Sequence, residues 1–197
     1  MPLVVVLDNV RSMYNVGSIF RTSDAFRVSA VYLCGITSTP PHAEIHKTAL
    51  GAEDSVEWKY FPTTQDAINS LHSDNYKVFA VEQAEGSTML HEMDLDFKSY
   101  ANAKYAIVMG NEVKGVQQEV VDMCDGCIEI PQFGTKHSLN VSTTAGIVIW
   151  ELAKKIILSD YLAVNFIDRV FDNPMLFSGF ENLMALFIYS LQVYADF

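Results

Sequence analysis

The sequence predicts an α/β fold in which a mostly parallel sheet is flanked by helices, and three observations lead to this expectation. Short apolar runs alternate with amphipathic segments of helical periodicity along most of the chain. Polar, glycine-containing loops follow several of these runs, which is where an open parallel sheet binds its ligands. The chain has 197 residues and is 50% hydrophobic, so it is long enough for one domain with a sizeable core.

The first part of the chain predicts three strands and two helices. Leu3–Leu7 is a continuous apolar run, typical of a strand that is buried on both faces of a parallel sheet. Asn15 is the expected cap of a helix that runs to about Arg27. Between Thr37 and Gly51 we expect an irregular functional loop with room for one short helix. The other elements are expected at Val28–Cys34 (strand), Val56–Phe61 (strand) and Thr63–Leu71 (helix).

The second part continues the alternation. Strands are predicted at Lys77–Val81, Tyr105–Met109 and Cys127–Ile130, and helices at Val116–Met123 and Val141–Lys155. An acidic turn, residues 82–87, and a tight loop, Gly110–Gly115, follow two of the strands. Either Ser138 or Asn140 can cap the last helix, whose backbone N–H groups then point into the polar loop before it. Something polar is expected to bind at that loop.

The formal charge of −11 limits how the chain can bind nucleic acid. Non-specific affinity comes mainly from neutralised phosphates, which argues against binding through bulk electrostatics. The distribution is uneven, because residues 9–50 carry four basic and two acidic residues. We expect a local phosphate-binding patch formed by Arg11, Arg21, Arg27, Lys47, Lys114 and Lys136.

Several other classes of site and compartment are disfavoured. The first residues, MPLVVVLDNV, have no basic n-region and no cleavage site, and three cysteines cannot close a disulfide framework, so a cytoplasmic protein is expected. Cys124 and Cys127 have the spacing of half a zinc site, but a second half is missing from the sequence. A structural turn with two small thiols is therefore the favoured interpretation, and no metal is expected.

Gly110–Gly115 has the glycine spacing of a phosphate-binding P-loop but lacks the Lys-Ser/Thr pair that must follow. It is therefore not a P-loop. The segment alone leaves open a polar turn in which Glu112 is merely solvated. His46 and His137 lie in the predicted functional loops, where RNA-contacting or surface histidines are expected rather than catalytic ones.

Three segments resemble the motifs of one known family. They are NVRSMYNVGSIFRTSDAF (Asn9–Phe26), IVMGNEVKGV (Ile107–Val116) and SLNVSTTAG following IPQFG. In this order they resemble the three motifs of the SPOUT superfamily, in particular the TrmH (SpoU) class of RNA ribose methyltransferases. The resemblance extends from Asn9 to about Leu158. Two positions depart from it, because Arg27 and Val113 stand where the family usually has glycine.

The resemblance implies a SPOUT-type fold with a C-terminal trefoil knot, S-adenosylmethionine as the cofactor and a homodimer. The resemblance implies a cofactor pocket built from the backbone at Gly110, Ile130 and Leu139, with the turn at Val81 and Glu82 closing one side.

It further implies catalytic roles for Asn15 and Arg21 near the acceptor ribose. Glu112, Ser138 and Asn140 would support the cofactor and the catalytic geometry. Arg21 would act in the site of the partner chain. From the sequence alone, Arg21 could instead form a surface ion pair with Asp24.

The resulting functional expectation is transfer of a methyl group to a ribose 2′-hydroxyl of tRNA or rRNA. An inactive module of the same fold that binds S-adenosylmethionine or RNA is the alternative, and the acidic charge and the changed glycines favour it. An unrelated nucleotide-binding α/β protein is a third possibility.

Residues 160–197 differ from the rest and lie outside the resemblance. The division is a methyltransferase domain at 1–159 and an apolar helical extension at 160–197. Ser178 and Glu181 form a predicted capping box before a helix, and its uncharged run is too short to span a bilayer, which needs about 20 residues. The apolar positions of this helix, expected to pack on the domain or on a partner, are Phe180, Leu183, Met184, Phe187, Ile188, Leu191 and Tyr194.

Overall fold

The computed structural model describes residues 1–93, 104–135, 138–159 and 167–196. Within them the strands are β1 (Leu3–Asp8), β2 (Ala30–Cys34), β3 (Trp58–Phe61), β4 (Tyr76–Val81), β5 (Thr88–Met89), β6 (Lys104–Met109) and β7 (Gly126–Glu129). The α-helices are α1 (Met13–Ala25), α2 (Ala43–Ala49), α3 (Ala52–Ser55), α4 (Thr64–Ser73), α5 (Gln118–Val121), α6 (Val141–Ala153), α7 (Asp168–Asp172) and α8 (Gly179–Asp196). Short 3₁₀ turns lie at Leu90–Glu92 and Pro174–Leu176, and α6 continues as a π-helical turn, Lys154–Ser159.

The strands form one parallel sheet in the order β3-β2-β1-β6-β4-β7-β5, which confirms the predicted fold class. Alternate residues of β1 point to opposite faces of this sheet. Leu3 and Leu7 pack in a cluster with Phe20 of α1, whereas Val4 and Val6 pack on the other face with residues of α4. Helices therefore cover both faces, as the unbroken apolar run of β1 predicts.

The strand order brings three loops to one edge of the sheet. β6, β4 and β7 are neighbours, and Val81 is paired with Met109 on one side and with Ile128 on the other. The segments that follow these strands therefore leave the sheet side by side. This edge is where a parallel sheet places a binding site.

The elements differ from prediction mainly at their ends. α1 begins at Met13 and its cap is Ser12, whose hydroxyl accepts a hydrogen bond from the backbone N–H of Asn15, so the prediction of Asn15 as cap is wrong. The predicted helix over Val116–Met123 is the single turn α5. The segment Thr37–Gly51 contains α2, the one short helix for which room was expected, and α3 begins directly after it at Ala52.

Arg27 occupies the turn between α1 and β2 in the left-handed conformation, with φ of 52°. Its backbone N–H donates to the carbonyl of Asp24, and the N–H of Val28 donates to Ser23, so the turn closes with ordinary helix-terminating bonds. The arginine thus keeps the backbone that a glycine would adopt there. Val113, the other departure from the family pattern, is not among the described residues with positive φ.

Replacing Arg27 with glycine is expected to stabilise the protein. A non-glycine residue in the left-handed region costs about 1–2 kcal/mol, and glycine relieves this strain. The greater freedom of glycine in the unfolded chain offsets about 0.5–1 kcal/mol of the stabilisation. Arg27→Gly should therefore raise the free energy of unfolding by about 0.5–1 kcal/mol in urea titrations. Arg27→Ala removes the same side chain but keeps Cβ, and should give no such gain. Equal values for the two variants would contradict the interpretation.

The C-terminal helix α8 begins as predicted. The hydroxyl of Ser178 accepts from the N–H of Glu181 at 3.3 Å, and the Glu181 carboxylate accepts from the N–H of Ser178 at 2.8 Å. The helix buries Ala185 and lies against the turn Lys154–Ser159, yet Phe180, Leu183 and Phe187 remain exposed. The described residues leave those three side chains uncovered, and their burial against a partner stays a prediction.

Some expectations on the tail and the chain path remain open. The side chains of Leu191 and Tyr194 lie outside the described residues. The trefoil knot and the division of the chain at residue 159 stay predictions. Among the helices that the structure describes, none is both long and apolar enough to cross a bilayer.

Candidate active site

The carboxylate of Glu112 joins the first motif to the second. One oxygen, Oε2, accepts a hydrogen bond from the backbone N–H of Arg11, and Oε1 accepts from that of Ser12, both at 3.0 Å. The side-chain amide of Asn15 donates a third bond to Oε1 at 3.0 Å. Since Ser12 caps α1, the carboxylate sits at the N-terminus of that helix, where the helix dipole favours a negative charge. Glu112 is therefore not merely solvated.

These contacts also set the ionisation of Glu112. Partial burial raises the pKa of a carboxyl, but here the N–H groups of Arg11 and Ser12, with the amide of Asn15, outweigh that effect. The pKa of Glu112 therefore lies below its ordinary value. At neutral pH the group is a carboxylate that can only accept hydrogen bonds.

The depressed pKa of Glu112 predicts part of the acid dependence of stability. Its contribution is fully present above the unfolded-state pKa of about 4.3 and is lost as the pH falls through the lower folded-state pKa. We expect Glu112→Gln to reduce the dependence of the free energy of unfolding on pH, measured by urea titrations between about pH 2 and pH 6. Glu57→Gln is the matched control, because Glu57 is exposed and outside the site. The same flattening in both variants would contradict the assignment.

Asn140 joins the third motif to the other two. Its Oδ1 accepts from the backbone N–H of Ser142 at 2.9 Å and of Thr143 at 3.4 Å, so Asn140, rather than Ser138, caps α6. Its amide Nδ2 donates to Oδ1 of Asn15 at 3.1 Å. A continuous path of hydrogen bonds thus runs from Glu112 through Asn15 to Asn140 and ties the three motifs together.

The loop Gly110–Gly115 is held in a fixed shape by two side chains. Asn111 and Gly115 exchange backbone hydrogen bonds, and Oδ1 of Asn111 accepts from the N–H groups of Val113 and Lys114. Oε2 of Glu82 accepts from the N–H of Val116 at 2.8 Å. A Cβ added at Gly115 would lie 1.9 Å from this oxygen, so only glycine allows the carboxylate to approach.

A pocket of about 510 Å³ lies at the ends of β6, β4 and β7, within the range of small-molecule sites. All five residues predicted to bind the cofactor line it, namely Val81, Glu82, Gly110, Ile130 and Leu139. Three of the predicted catalytic residues line it as well: Glu112, Ser138 and Asn140. Asn15 reaches the same place through its bonds to Glu112 and Asn140. The roles of these residues stay predictions.

The lining of the pocket is acidic. Among the lining residues that the structure describes, there are three carboxylates, from Glu82, Glu112 and Glu129, and one cation, from Lys114. The difference is a formal charge of −2 (one minus three). A site of this charge attracts a cationic ligand and disfavours a polyphosphate.

Arg21 lies outside this pocket. It is exposed on α1, and the structure gives it no ion pair with Asp24 among the described residues, so the proposed surface pair is wrong. Asp24 instead accepts a hydrogen bond from the hydroxyl of Ser55 at 2.8 Å. The side chain of Arg21 is therefore available to a substrate or a second chain.

Other sequence-predicted residues have more ordinary surroundings. Lys47 pairs with Glu44 at 3.1 Å, and Nδ1 of His46 lies 2.6 Å from the buried carboxylate of Glu53. Lys136 and His137 lie outside the described residues. Burial raises the pKa of Cys124 to about 12 and also raises the pKa of Cys127. Both thiols donate to backbone carbonyls, which fits the structural turn.

Sequence reasoning missed two residues that organise the site. Ser12 caps α1 beside Glu112, and Asn111 shapes the second-motif loop and donates to the carbonyl of Asn9 at 2.7 Å. Asn111 did carry a signal, because an asparagine after a strand often bonds to the backbone two residues on. Ser12 could have been found as one of the standard helix caps.

The three motifs thus meet in one site, and comparison with known proteins identifies the family. A model of the SpoU rRNA Methylase family matches residues 2–150. The chain belongs to the SpoU methylase family. This confirms the resemblance that the motifs predicted.

Two curated relatives from this family match most of the chain but a smaller part of their own length. The 23S rRNA (guanosine-2'-O-)-methyltransferase RlmB of Neisseria meningitidis is 33% identical over 81% of this chain and 61% of that protein. The tRNA (guanosine(18)-2'-O)-methyltransferase of Thermus thermophilus is 30% identical over 78% of this chain and 75% of its own. The chain thus spans about three fifths of the length of the first relative.

Solved structures agree with this family and fold. The AdoMet-bound rRNA methyltransferase from Sinorhizobium meliloti aligns with a TM-score of 0.71 and 30% identity, over 80% of this chain and 57% of that one. The A. aeolicus TrmH/SpoU tRNA modifying enzyme aligns with a TM-score of 0.67 and 26% identity, over 77% and 74%.

Proposed function

We propose that the chain is an S-adenosylmethionine-dependent methyltransferase that acts on a ribose 2′-hydroxyl of tRNA or rRNA. The observation that carries this proposal is the acidic pocket of about 510 Å³ into which the second and third motifs converge. Membership of the SpoU family supports the reaction, since its relatives carry that activity in their names. A cytoplasmic location is part of the same proposal.

The residues present suit S-adenosylmethionine, which carries positive charges on its sulfur and its amino group and one negative charge on its carboxylate, so that the ligand as a whole is cationic. The carboxylates of Glu82, Glu112 and Glu129 favour the positive charges, and Ile130 and Leu139 offer apolar surface to the adenine. The triphosphate of an ordinary nucleotide would be repelled by the same lining. This argues against an unrelated nucleotide-binding protein.

When bound, S-adenosylmethionine supplies a methyl group on a positively charged sulfur, which becomes a neutral thioether as the ribose oxygen takes the methyl. The chain must align the 2′-oxygen and let its proton leave. The hydrogen bonds from Glu112 through Asn15 to Asn140 hold one wall of the pocket, and in this proposal the acceptor ribose lies beside their amide groups. A guanidinium hardly deprotonates, so Arg21 anchors the neighbouring phosphate, which accepts the proton, or stabilises the developing alkoxide.

A homodimer with shared sites is part of this proposal. Arg21 is exposed and does not line the pocket of its own chain. It would therefore act at a pocket only where a partner chain lies against this part of α1. In a two-fold dimer each of two equivalent sites would take Arg21 from one protomer and Asn140 from its partner. The exposed apolar side chains of α8 provide further surface that a second copy would cover.

An inactive module that only binds S-adenosylmethionine or RNA is the second candidate, and the net charge of −11 favours it. The changed glycines do not, because Arg27 keeps the glycine-like backbone and Val113 needs no positive φ. The continuous hydrogen bonds from Glu112 through Asn15 to Asn140, which join the three motifs, also favour an enzyme.

A labelled-methyl assay separates the candidates. The chain is incubated with S-adenosylmethionine labelled in the methyl group and with bulk tRNA or rRNA. Label in RNA is the expected result. Binding of S-adenosylmethionine in calorimetry without transfer to either RNA would identify the module, and stabilisation by ATP but not by S-adenosylmethionine would refute the proposed cofactor.

A further inference from the structure

A second cleft, of about 420 Å³, lies beside the proposed cofactor pocket. The two cavities share three residues of the Gly110–Gly115 loop, namely Asn111, Val113 and Lys114, so this loop stands between them. Asp8, Asn9, Arg11, Ile36 and Gln117 line the second cleft only. The proposed reaction assigns this cleft no role.

The cleft has exposed aliphatic walls. Ile36, after β2, is 65% exposed, and Val113, in the second-motif loop, is 77% exposed. Two large apolar side chains that open onto one cleft suit a flat, apolar ligand surface. Unstacked bases are bound in this way, between apolar or aromatic side chains.

The cleft also has free positive charge. Arg11 and Lys114 are exposed, and neither side chain forms an ion pair or hydrogen bond with any residue in the described part of the chain. In a chain of net charge −11, two unpaired cations on one cleft are a local exception. Phosphate is the anion that Arg and Lys neutralise in nucleic-acid complexes.

The buried end of the cleft carries the opposite charge. Asp8 is 2% exposed, and its Oδ1 accepts from the hydroxyl of Thr64 and the amide of Asn9. Its Oδ2 has no hydrogen-bond partner, which is costly for a buried carboxylate oxygen. Oδ2 is itself closed to solvent, so it offers no direct contact to a ligand, and the nearby carboxylate makes this end unfavourable for a phosphate. The separation of charge therefore orients a nucleotide with its base inward and its phosphate at the exposed cations.

We propose that this cleft binds one unpaired nucleotide of the RNA substrate. The base lies against Ile36 and Val113, and the phosphate lies at Arg11 and Lys114. Because the loop Gly110–Gly115 borders both cavities, a nucleotide held here places its strand next to the cofactor. This inference rests on the proposed function, since it takes RNA as the substrate.

The test uses the full chain and two binding measurements. Ile36→Glu and Arg11→Ala change residues that line only the second cleft, while the backbone N–H that Arg11 donates to Glu112 is retained. Leu50→Glu is the control for the first, because Leu50 is 63% exposed and lines neither cavity. Arg169→Ala, at an exposed position of α7, is the control for the loss of one positive charge.

Affinity for a short single-stranded RNA of mixed sequence is measured by fluorescence anisotropy, and affinity for S-adenosylmethionine by calorimetry. Ile36→Glu removes the apolar contact with the base and places a carboxylate in the cleft, so it should weaken RNA binding at least about fivefold. Arg11→Ala should weaken it and lower the salt slope by about one. Both variants should bind S-adenosylmethionine like the unchanged chain, and both controls should bind RNA normally.

The outcomes separate this inference from the proposed function. RNA affinity within twofold of the unchanged chain for Ile36→Glu, with S-adenosylmethionine binding intact, would overturn the nucleotide cleft. No RNA binding by the unchanged chain would overturn it as well. Loss of RNA binding in Ile36→Glu, in a chain that never binds S-adenosylmethionine, would support the cleft and refute the proposed cofactor.

Discussion

Leu139→Arg is expected to abolish binding of S-adenosylmethionine without unfolding the protein. Leu139 lines the pocket, is 42% exposed and belongs to neither core cluster, so its replacement leaves the core intact. The arginine adds bulk and places a positive charge beside a cationic ligand. Juxtaposed like charges cost several kcal/mol, so the affinity should fall at least about a hundredfold.

The control for this variant is Phe133→Arg. Phe133 lies in the same loop between β7 and α6, is 97% exposed and does not line the pocket. Calorimetry with S-adenosylmethionine and a melting curve are recorded for both variants. Normal binding by Leu139→Arg, or equal loss in both variants, would show that the ligand binds elsewhere.

Mixed dimers of Arg21→Ala and Asn140→Ala chains are expected to recover activity that neither variant has alone. Removing one group that stabilises charge at a reacting centre typically costs about a hundredfold to a thousandfold in rate. If each site takes Arg21 from one chain and Asn140 from its partner, a mixed dimer has one intact site. Unfolding and refolding the two variants together makes half of the dimers mixed, so roughly a quarter of the unchanged activity should return.

The matched control mixes Asn15→Ala with Asn140→Ala. These two side chains are hydrogen-bonded within one chain at 3.1 Å, so every site in a mixed dimer lacks one of them and no recovery is expected. Recovery in the control, or none for the Arg21 and Asn140 pair despite proven mixed dimers, would contradict a site shared in this way.

The layers of the fold were predictable because they depend on local sequence. The run Leu3–Leu7 is apolar at every position, and a strand buried on both faces is the direct consequence. Helix ends were less predictable. Ser12 and Asn15 are both good caps, and the choice depends on the carboxylate of Glu112, which is 100 positions from Ser12 in the chain. Sequence spacing contains no information on that contact.

The residues of the candidate site were predictable because the three motifs resemble those of a known family. The negative charge of the pocket was not predictable in this way. Gly110, Ile130 and Leu139 line one pocket as the motifs imply. The acidic character of that pocket depends on Glu129 and Glu82, which arrive from two different strands. The loop shape depends on Asn111 and on the fit of Glu82 against Gly115, a close approach that only the folded backbone reveals.

The second cleft illustrates the same limit. Asp8 appears in the sequence as the polar end of a buried strand, and Ile36 as an ordinary residue after the next strand. Asp8 and Ile36 line the same cleft because β1 pairs with β2 and because the loop after β6 lies beside them. Neither residue belongs to a motif position that the resemblance assigns a role.

The position of the transferred methyl group tests directly whether the chain methylates a ribose 2′-hydroxyl. RNA is incubated with the chain and S-adenosylmethionine that carries a deuterated methyl group, digested to nucleosides and analysed by mass spectrometry with fragmentation. We expect the deuterated methyl on the ribose fragment of one nucleoside, and its absence with Asn140→Ala. Label on a base fragment, or no label although the chain binds both S-adenosylmethionine and RNA, would contradict this expectation.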